Sequence, residues 1–304
     1  MIDFSDAKTA LLAALGLVAV AYIVVLVLGI RRRRAAAPAA PTAPTAGGVA
    51  TGFVTNFLDT LGIGSFATTT SIFRFGNMVP DEQIPGTLNV GHTLPTIIQA
   101  VIFTKAVPVD AKTLIVLIAA AVCGSWLGAG LVVSWPRRRV QLGMGLALLS
   151  LAVLMLLSLL QITPAGGTAI GLSGGTLLFA AAMNFGLGAL MTIGIGLYAP
   201  CMILVSLLGM NPVTAFPIMM GSCAFLMPAA SVRFIRGNGF NIRATLGLLI
   251  GGIPAVLIAA FIVKSLPLTV VRWLVVVVVV YTAIGLLRAA MRERAVGALA
   301  LETE

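Results

Sequence analysis

The sequence predicts an all-α integral membrane protein made of two inverted repeats, whose re-entrant or broken helices meet near the bilayer midplane. Three observations carry that expectation. First, 60% of the 304 residues are hydrophobic, only 9% are charged and the mean hydropathy is +1.11, which leaves too little polar surface to cover a soluble fold of this size. Second, two long apolar runs are each interrupted by a Gly-x-Gly: Asp59-Thr60-Leu61-Gly62-Ile63-Gly64-Ser65 and Thr192-Ile193-Gly194-Ile195-Gly196. Each glycine costs a helix roughly 1 kcal/mol relative to Ala, so a break is expected at both places. Third, the interruptions lie at the same point of a repeating pattern.

Residues 10 to 30 form an unbroken apolar run closed by Arg31-Arg32-Arg33-Arg34. The charge follows the run instead of preceding it, so an uncleaved spanning helix is expected over 1–34, with its N-terminus outside and its arginines in the cytoplasm. An Ala/Pro/Thr linker follows over 35–46. The first repeat is expected over 47–160, an inter-repeat loop over 161–175, and the second repeat with a cytoplasmic tail over 176–304.

Within the first repeat, 47 to 75 is the interrupted run, and spans are expected over 85–103, 113–133 and 140–160. The second repeats the order: an interrupted run over 176–209, then spans over 216–234, 244–263 and 270–290. Thr60, Gly62, Gly64 and Pro85 match Thr192, Gly194, Gly196 and Pro217 at an offset of 132. Phe103, Lys105, Asp110, Lys112 and Pro136 match Phe234, Arg236, Asn241, Arg243 and Pro267 at an offset of 131. Offsets this steady point to duplication.

Basic residues separate two topologies. If each interrupted run crosses the membrane once, Arg137-Arg138-Arg139 lie outside. If each returns as a hairpin, the halves are inverted and Arg31 to Arg34, Arg137 to Arg139, Arg236, Arg243 and Arg288 to Arg294 all lie inside, as positive loops should. A bacterial plasma membrane with the C-terminus cytoplasmic is the expected location.

In such a hairpin the second half-helix begins at the tip, and its first N–H groups face the midplane with about half a positive charge. Two facing N-termini would cradle a small anion. Thr60, Gly62, Ile63, Gly64 and Ser65 from one tip, and Thr192, Gly194, Ile195 and Gly196 from the other, are the candidate binding residues. Asn89, His92 and Ser222 join them as polar groups on nearby spans. His92 could donate to the anion, relay a proton or bond a backbone carbonyl. Asp59 could carry a proton or cation for coupling, or cap the half-helix after it. Asn56 and Asn184, each followed by Phe, are candidate polar lining. Cys123, Cys201 and Cys223 are scattered through apolar segments beside a single His, so no metal site or cofactor is expected. No nucleophile and base stand at a catalytic spacing, so an enzyme is not expected either. The partners are a small anion and the lipid bilayer, with a homodimer allowed for; nucleic-acid binding is not expected.

With these residues in place, the chain resembles the TauE/SafE sulfite exporter family, also called the toluene sulfonate uptake permease family. The resemblance lies in Thr192-Ile193-Gly194-Ile195-Gly196-Leu197-Tyr198-Ala199-Pro200, in Leu208-Gly209-Met210-Asn211-Pro212-Val213-Thr214-Ala215 and in Arg233-Phe234-Ile235-Arg236-Gly237-Asn238. The first half is similar more loosely, through Leu61-Gly62-Ile63-Gly64, and together the halves cover about 47 to 290. The resemblance implies secondary transport, as an exporter, of sulfite, sulfonates or related sulfur-containing anions. Ser65 and Leu197 stand where the family often has another glycine, which bears on pocket size and hence on the substrate. Asp59 and His92 are not carried over from the family. The alternatives are a transporter of an organosulfonate, a carboxylate or another oxyanion, and a non-transporting membrane scaffold or assembly factor.

Overall fold

A computed structural model of the chain describes residues 4–36, 38, 41–132, 137–160, 167–191, 197–265 and 267–302. Among the described residues there is no strand beyond one isolated bridge between Ala169 and Met210. The helices are α1 (Phe4–Ala36), α2 (Ala46–Thr60), α3 (Ser65–Phe75), α4 (Ile84–Ala106), α5 (Ala111–Val132), α6 (Arg137–Leu159), α7 (Gly174–Met191), α8 (Tyr198–Leu207), α9 (Ala215–Arg236), α10 (Ile242–Ser265) and α11 (Leu268–Glu302). The segments Ala7–Ala36, Gly174–Met191, Pro212–Arg236 and Ile242–Val263 are long and apolar enough to cross a bilayer. The chain is an all-α membrane protein.

The expected spans coincide with helices: those over 85–103, 216–234, 244–263 and 270–290 fall inside longer ones, 140–160 ends one residue past α6, and position 133 of the span 113–133 lies outside the described residues. α1 continues through its four arginines, and α11 runs past Arg292-Glu293-Arg294 to Glu302. Charged residues that leave the apolar phase are still good helix formers, so hydropathy marks where a span ends but not where its helix does. The first interrupted run is divided, into α2 and α3; in the second, α7 and α8 flank residues 192–196, which lie outside the described residues.

The first division has a complete backbone explanation. The Ile63 amide donates to the Leu58 carbonyl (3.1 Å) and the Gly62 amide to the Asp59 carbonyl (2.8 Å), with Gly62 at φ +94°. This pair of bonds is the Schellman ending of a helix, and its left-handed residue is one that glycine adopts without a Cβ penalty. Gly64, at φ +86°, then turns the chain into α3. The chain reverses there. Asn56 and Thr69 would lie about 20 Å apart on a continuous helix, yet the His92 ring touches both, at 3.0 Å each.

The helices form two compact units. The first comprises residues 1–115 and 216–265, the second 116–215 and 266–304. In the first, α2 lies along α10, and Gly48, Gly52, Gly247, Gly251 and Gly252 let the two backbones approach so closely that a Cβ on Gly251 would strike the Val49 carbonyl. α4 and α9 run antiparallel: Phe103 stacks on Phe216 (5.2 Å between ring centroids), while Gly86, at the other end of α4, abuts Phe234 and Gly239. α1 presents the stripe Leu15, Tyr22 and Leu26 to this unit. The Tyr22 hydroxyl donates to the Val90 carbonyl, and Arg33 bonds the Phe240 carbonyl.

In the second unit α7 lies against α5, where a Cβ on Gly124 would strike the Phe185 carbonyl and one on Gly188 the Ala121 carbonyl. α6 and α11 run antiparallel, with Gly145 against Ala283 and Leu287 and the Arg138 guanidinium donating to the Ala290 carbonyl (3.3 Å).

Candidate functional site: a buried polar cluster at the first helix break

The first unit contains polar side chains that are almost wholly removed from solvent. Asn56, Thr60, Thr69, His92, Thr93, Gln99, Ser222 and Ser231 have no accessible surface, and Asp59 and Ser65 expose 3% and 4%. A polar group buried without a partner costs roughly 2–7 kcal/mol, so the bonds among these groups define the site.

α2 supplies one face of the cluster because Asn56, Asp59 and Thr60 sit three and four residues apart. α4 supplies the opposite face through His92 and Gln99, two turns apart. The Asn56 amide nitrogen donates to the Gly52 carbonyl (2.8 Å), which leaves its oxygen to accept from His92 Nδ1 (3.0 Å). That assigns the His92 proton to Nδ1, so Nε2 accepts from the Thr69 hydroxyl (3.0 Å). Both ring nitrogens of His92 are thus engaged by side chains of α2 and α3, and Phe66 packs at 6.1 Å from the ring.

The second half of the cluster lies at the tip. Asp59 Oδ1 accepts from the Ser65 amide at 2.6 Å, and Gln99 Nε2 donates both to Asp59 Oδ2 (3.0 Å) and to Thr60 Oγ1 (2.8 Å). Thr60 in turn donates to the Asn56 carbonyl (2.8 Å). Asp59 therefore caps α3 from across the break. Of the two roles expected from the sequence, the structure shows the cap.

The other candidates fall into three groups. Gly62, Ile63 and Gly64 form the tip itself, and among the described residues no atom beyond its chain neighbours lies within 4 Å of where a Gly64 Cβ would be. Asn89 bonds within its own helix, donating to the Pro85 carbonyl (2.9 Å), and Ser222 does the same to Ile218 (2.7 Å). Thr192, Gly194, Ile195 and Gly196 lie outside the described residues. Among the described residues no group of three His, Cys, Asp or Glu could hold a metal ion.

Gln99 and Thr69 were not singled out from the sequence. Gln99 carried a signal: it is the lone amide in the apolar run 94–103, seven residues from His92 and so on the same helical face. Thr69 carried none, being the middle of Thr68-Thr69-Thr70. A second polar junction, in which Thr93 and Ser231 join α4 to α9 (3.0 Å) beside Tyr22, was equally silent.

Comparison with protein-family models, with curated proteins and with solved structures returned no match.

Proposed function

We propose that the protein is a secondary transporter of a small sulfur-containing anion, sulfite or a sulfonate, acting as an exporter and binding its substrate at the helix breaks. One observation carries this proposal. At the first break the chain reverses, and the amide end of α3 begins at Gly64, where no described atom beyond its chain neighbours lies within 4 Å of a Cβ position and Thr60 and Ser65 flank the turn. Broken backbone at membrane depth is tolerated only where protein or a watery cavity receives it, and paired interrupted helices are where transporters of this kind place their substrates. The resemblance to the TauE/SafE family points to the same substrate class.

Inverted repeats are part of the proposal. α4 and α9 are equivalent by the offset, as are α6 and α11, and the members of each pair run antiparallel. Parallel repeats would have set them parallel. With the basic residues held inside, the proposal sets the N-terminus outside and the C-terminus in the cytoplasm of a bacterial plasma membrane, with the first run a re-entrant hairpin.

Flux of sulfite and of sulfonates into proteoliposomes tests the proposal. Gly64→Leu and Gly196→Leu are each expected to abolish saturable anion flux in protein that remains monodisperse. Wild-type flux in both variants would sink the proposal.

A further inference from the structure

Asp59 poses a question that anion binding at the tip does not answer by itself. Its carboxylate already occupies the first donor of α3, because Oδ1 accepts from the Ser65 amide at 2.6 Å. A substrate anion and the carboxylate are rivals for that amide, and two negative charges in contact at a buried site cannot both persist.

We propose that a proton is the co-substrate of this site and that Asp59 carries it, so that the anion binds only as the carboxylate is protonated. The inference rests on the anion-binding function proposed above. The geometry says what the proton does. On Oδ1 it turns an acceptor into a donor, and the Ser65 N–H can no longer face it. The amide is released and the new O–H lies beside it, giving an arriving anion two donors in place of one. No covalent bond other than O–H forms or breaks. Asp59 falls from one negative charge to none as the anion brings its own, so the site holds a single negative charge throughout.

A metal cation fits less well. Gln99 Nε2 stands between Asp59 Oδ2 (3.0 Å) and Thr60 Oγ1 (2.8 Å), so a donor nitrogen fills the seat where a cation would need those oxygens. His92 is not the carrier, because Nδ1 and Nε2 are committed to Asn56 and Thr69. The remaining titratable residues of the elements packed on α2 are Arg74 of α3, Lys105 of α4, and Arg243 and Lys264 of α10. Each stands at the end of its helix, away from the tip.

Equilibrium binding of methanesulfonate, which stays ionised from acid to neutral pH, tests the inference on the purified full-length protein with and without sodium. Wild-type affinity is expected to fall about tenfold for each unit rise in pH on the alkaline side. Asp59→Asn, a neutral mimic of the protonated acid, is expected to bind with no pH dependence. If the variant keeps the wild-type slope, if wild type shows no slope, or if binding requires sodium, the proton assignment is overturned while anion binding stands. If wild type binds no anion at any pH, both proposals fall. Should Asp59→Asn not fold, Gln99→Met carries the test. It removes a donor to the charged carboxylate, so the pH profile should move to higher pH, and an unmoved profile overturns the assignment.

Discussion

The two interrupted runs are held by the same contacts but carry different chemistry. In the first unit Gly52 abuts Leu248 and Asn56 abuts Gly252; in the second Asn184 bonds the Leu117 carbonyl and Gly188 abuts Ala121. Those pairs correspond at offsets of 132 and 131, the offsets read from the sequence. Around this shared scaffold the side chains diverge. Where the first run has Asn56 and Asp59, the second has Gly188 and Met191, and opposite His92 and Gln99 stand Cys223 and Ala230. The close backbone approach is common to both runs, while the carboxylate and the imidazole stand at the first run only.

The shared scaffold makes the largest prediction. Gly251→Leu and Gly188→Leu each drive a side chain into the backbone of the facing helix, and overpacking of this kind costs about 3 kcal/mol or more. Thermal melting in detergent should show a similar large loss for both. A large loss in one and none in the other would break the equivalence of the α2–α10 and α7–α5 contacts.

The divergent chemistry makes the next. Asn56→Ala leaves the His92 Nδ1–H buried without its acceptor, at a cost of about 1–3 kcal/mol. Asn184 is different: its amide nitrogen donates to the Leu117 carbonyl (2.7 Å), but its buried oxygen has no hydrogen-bond partner among the described residues. Asn184→Ala removes one bond and one unsatisfied acceptor together, so its cost should stay below about 1 kcal/mol. Equal losses by thermal melting would mean that the polarity of the two halves is less different than their sequences.

These residues also mark how far the sequence could be read. The first break was legible because Gly-x-Gly is a local signal, and the apolar spans were legible because hydropathy is a property of each segment alone. The register between Asn56 and Asn184 was not. A shared Asn-Phe dipeptide pairs them at an offset of 128 against the 132 of the glycines, and the contacts follow the 132, making Asn184 the counterpart of Gly52 and Gly188 that of Asn56. The link from Asp59 to Gln99 was also hidden, because two residues forty positions apart meet only once α2 and α4 have packed. Local chemistry predicted the tip, and only tertiary contact could say that Asp59 fills it.

The smallest prediction concerns how the short helices end. α3 closes with the Met78 amide on the Phe73 carbonyl (2.9 Å) and Asn77 at φ +47°; α8 closes with the Met210 amide on the Val205 carbonyl (3.2 Å) and Gly209 at φ +83°. This is one Schellman turn used twice, 132 residues apart. The left-handed residue costs a side chain roughly 1–2 kcal/mol that glycine avoids, and Asn bears it more easily than most. Asn77→Gly should therefore stabilise by up to about 1 kcal/mol, and Gly209→Asn should destabilise by a similar amount. If the two shifts in melting temperature are opposite in sign and alike in size, the turns are energetically as well as geometrically equivalent. If Asn77→Gly is destabilising, its side chain holds something at the first hairpin that has no counterpart in the second, and the asymmetry seen at Asp59 extends to the far end of α3.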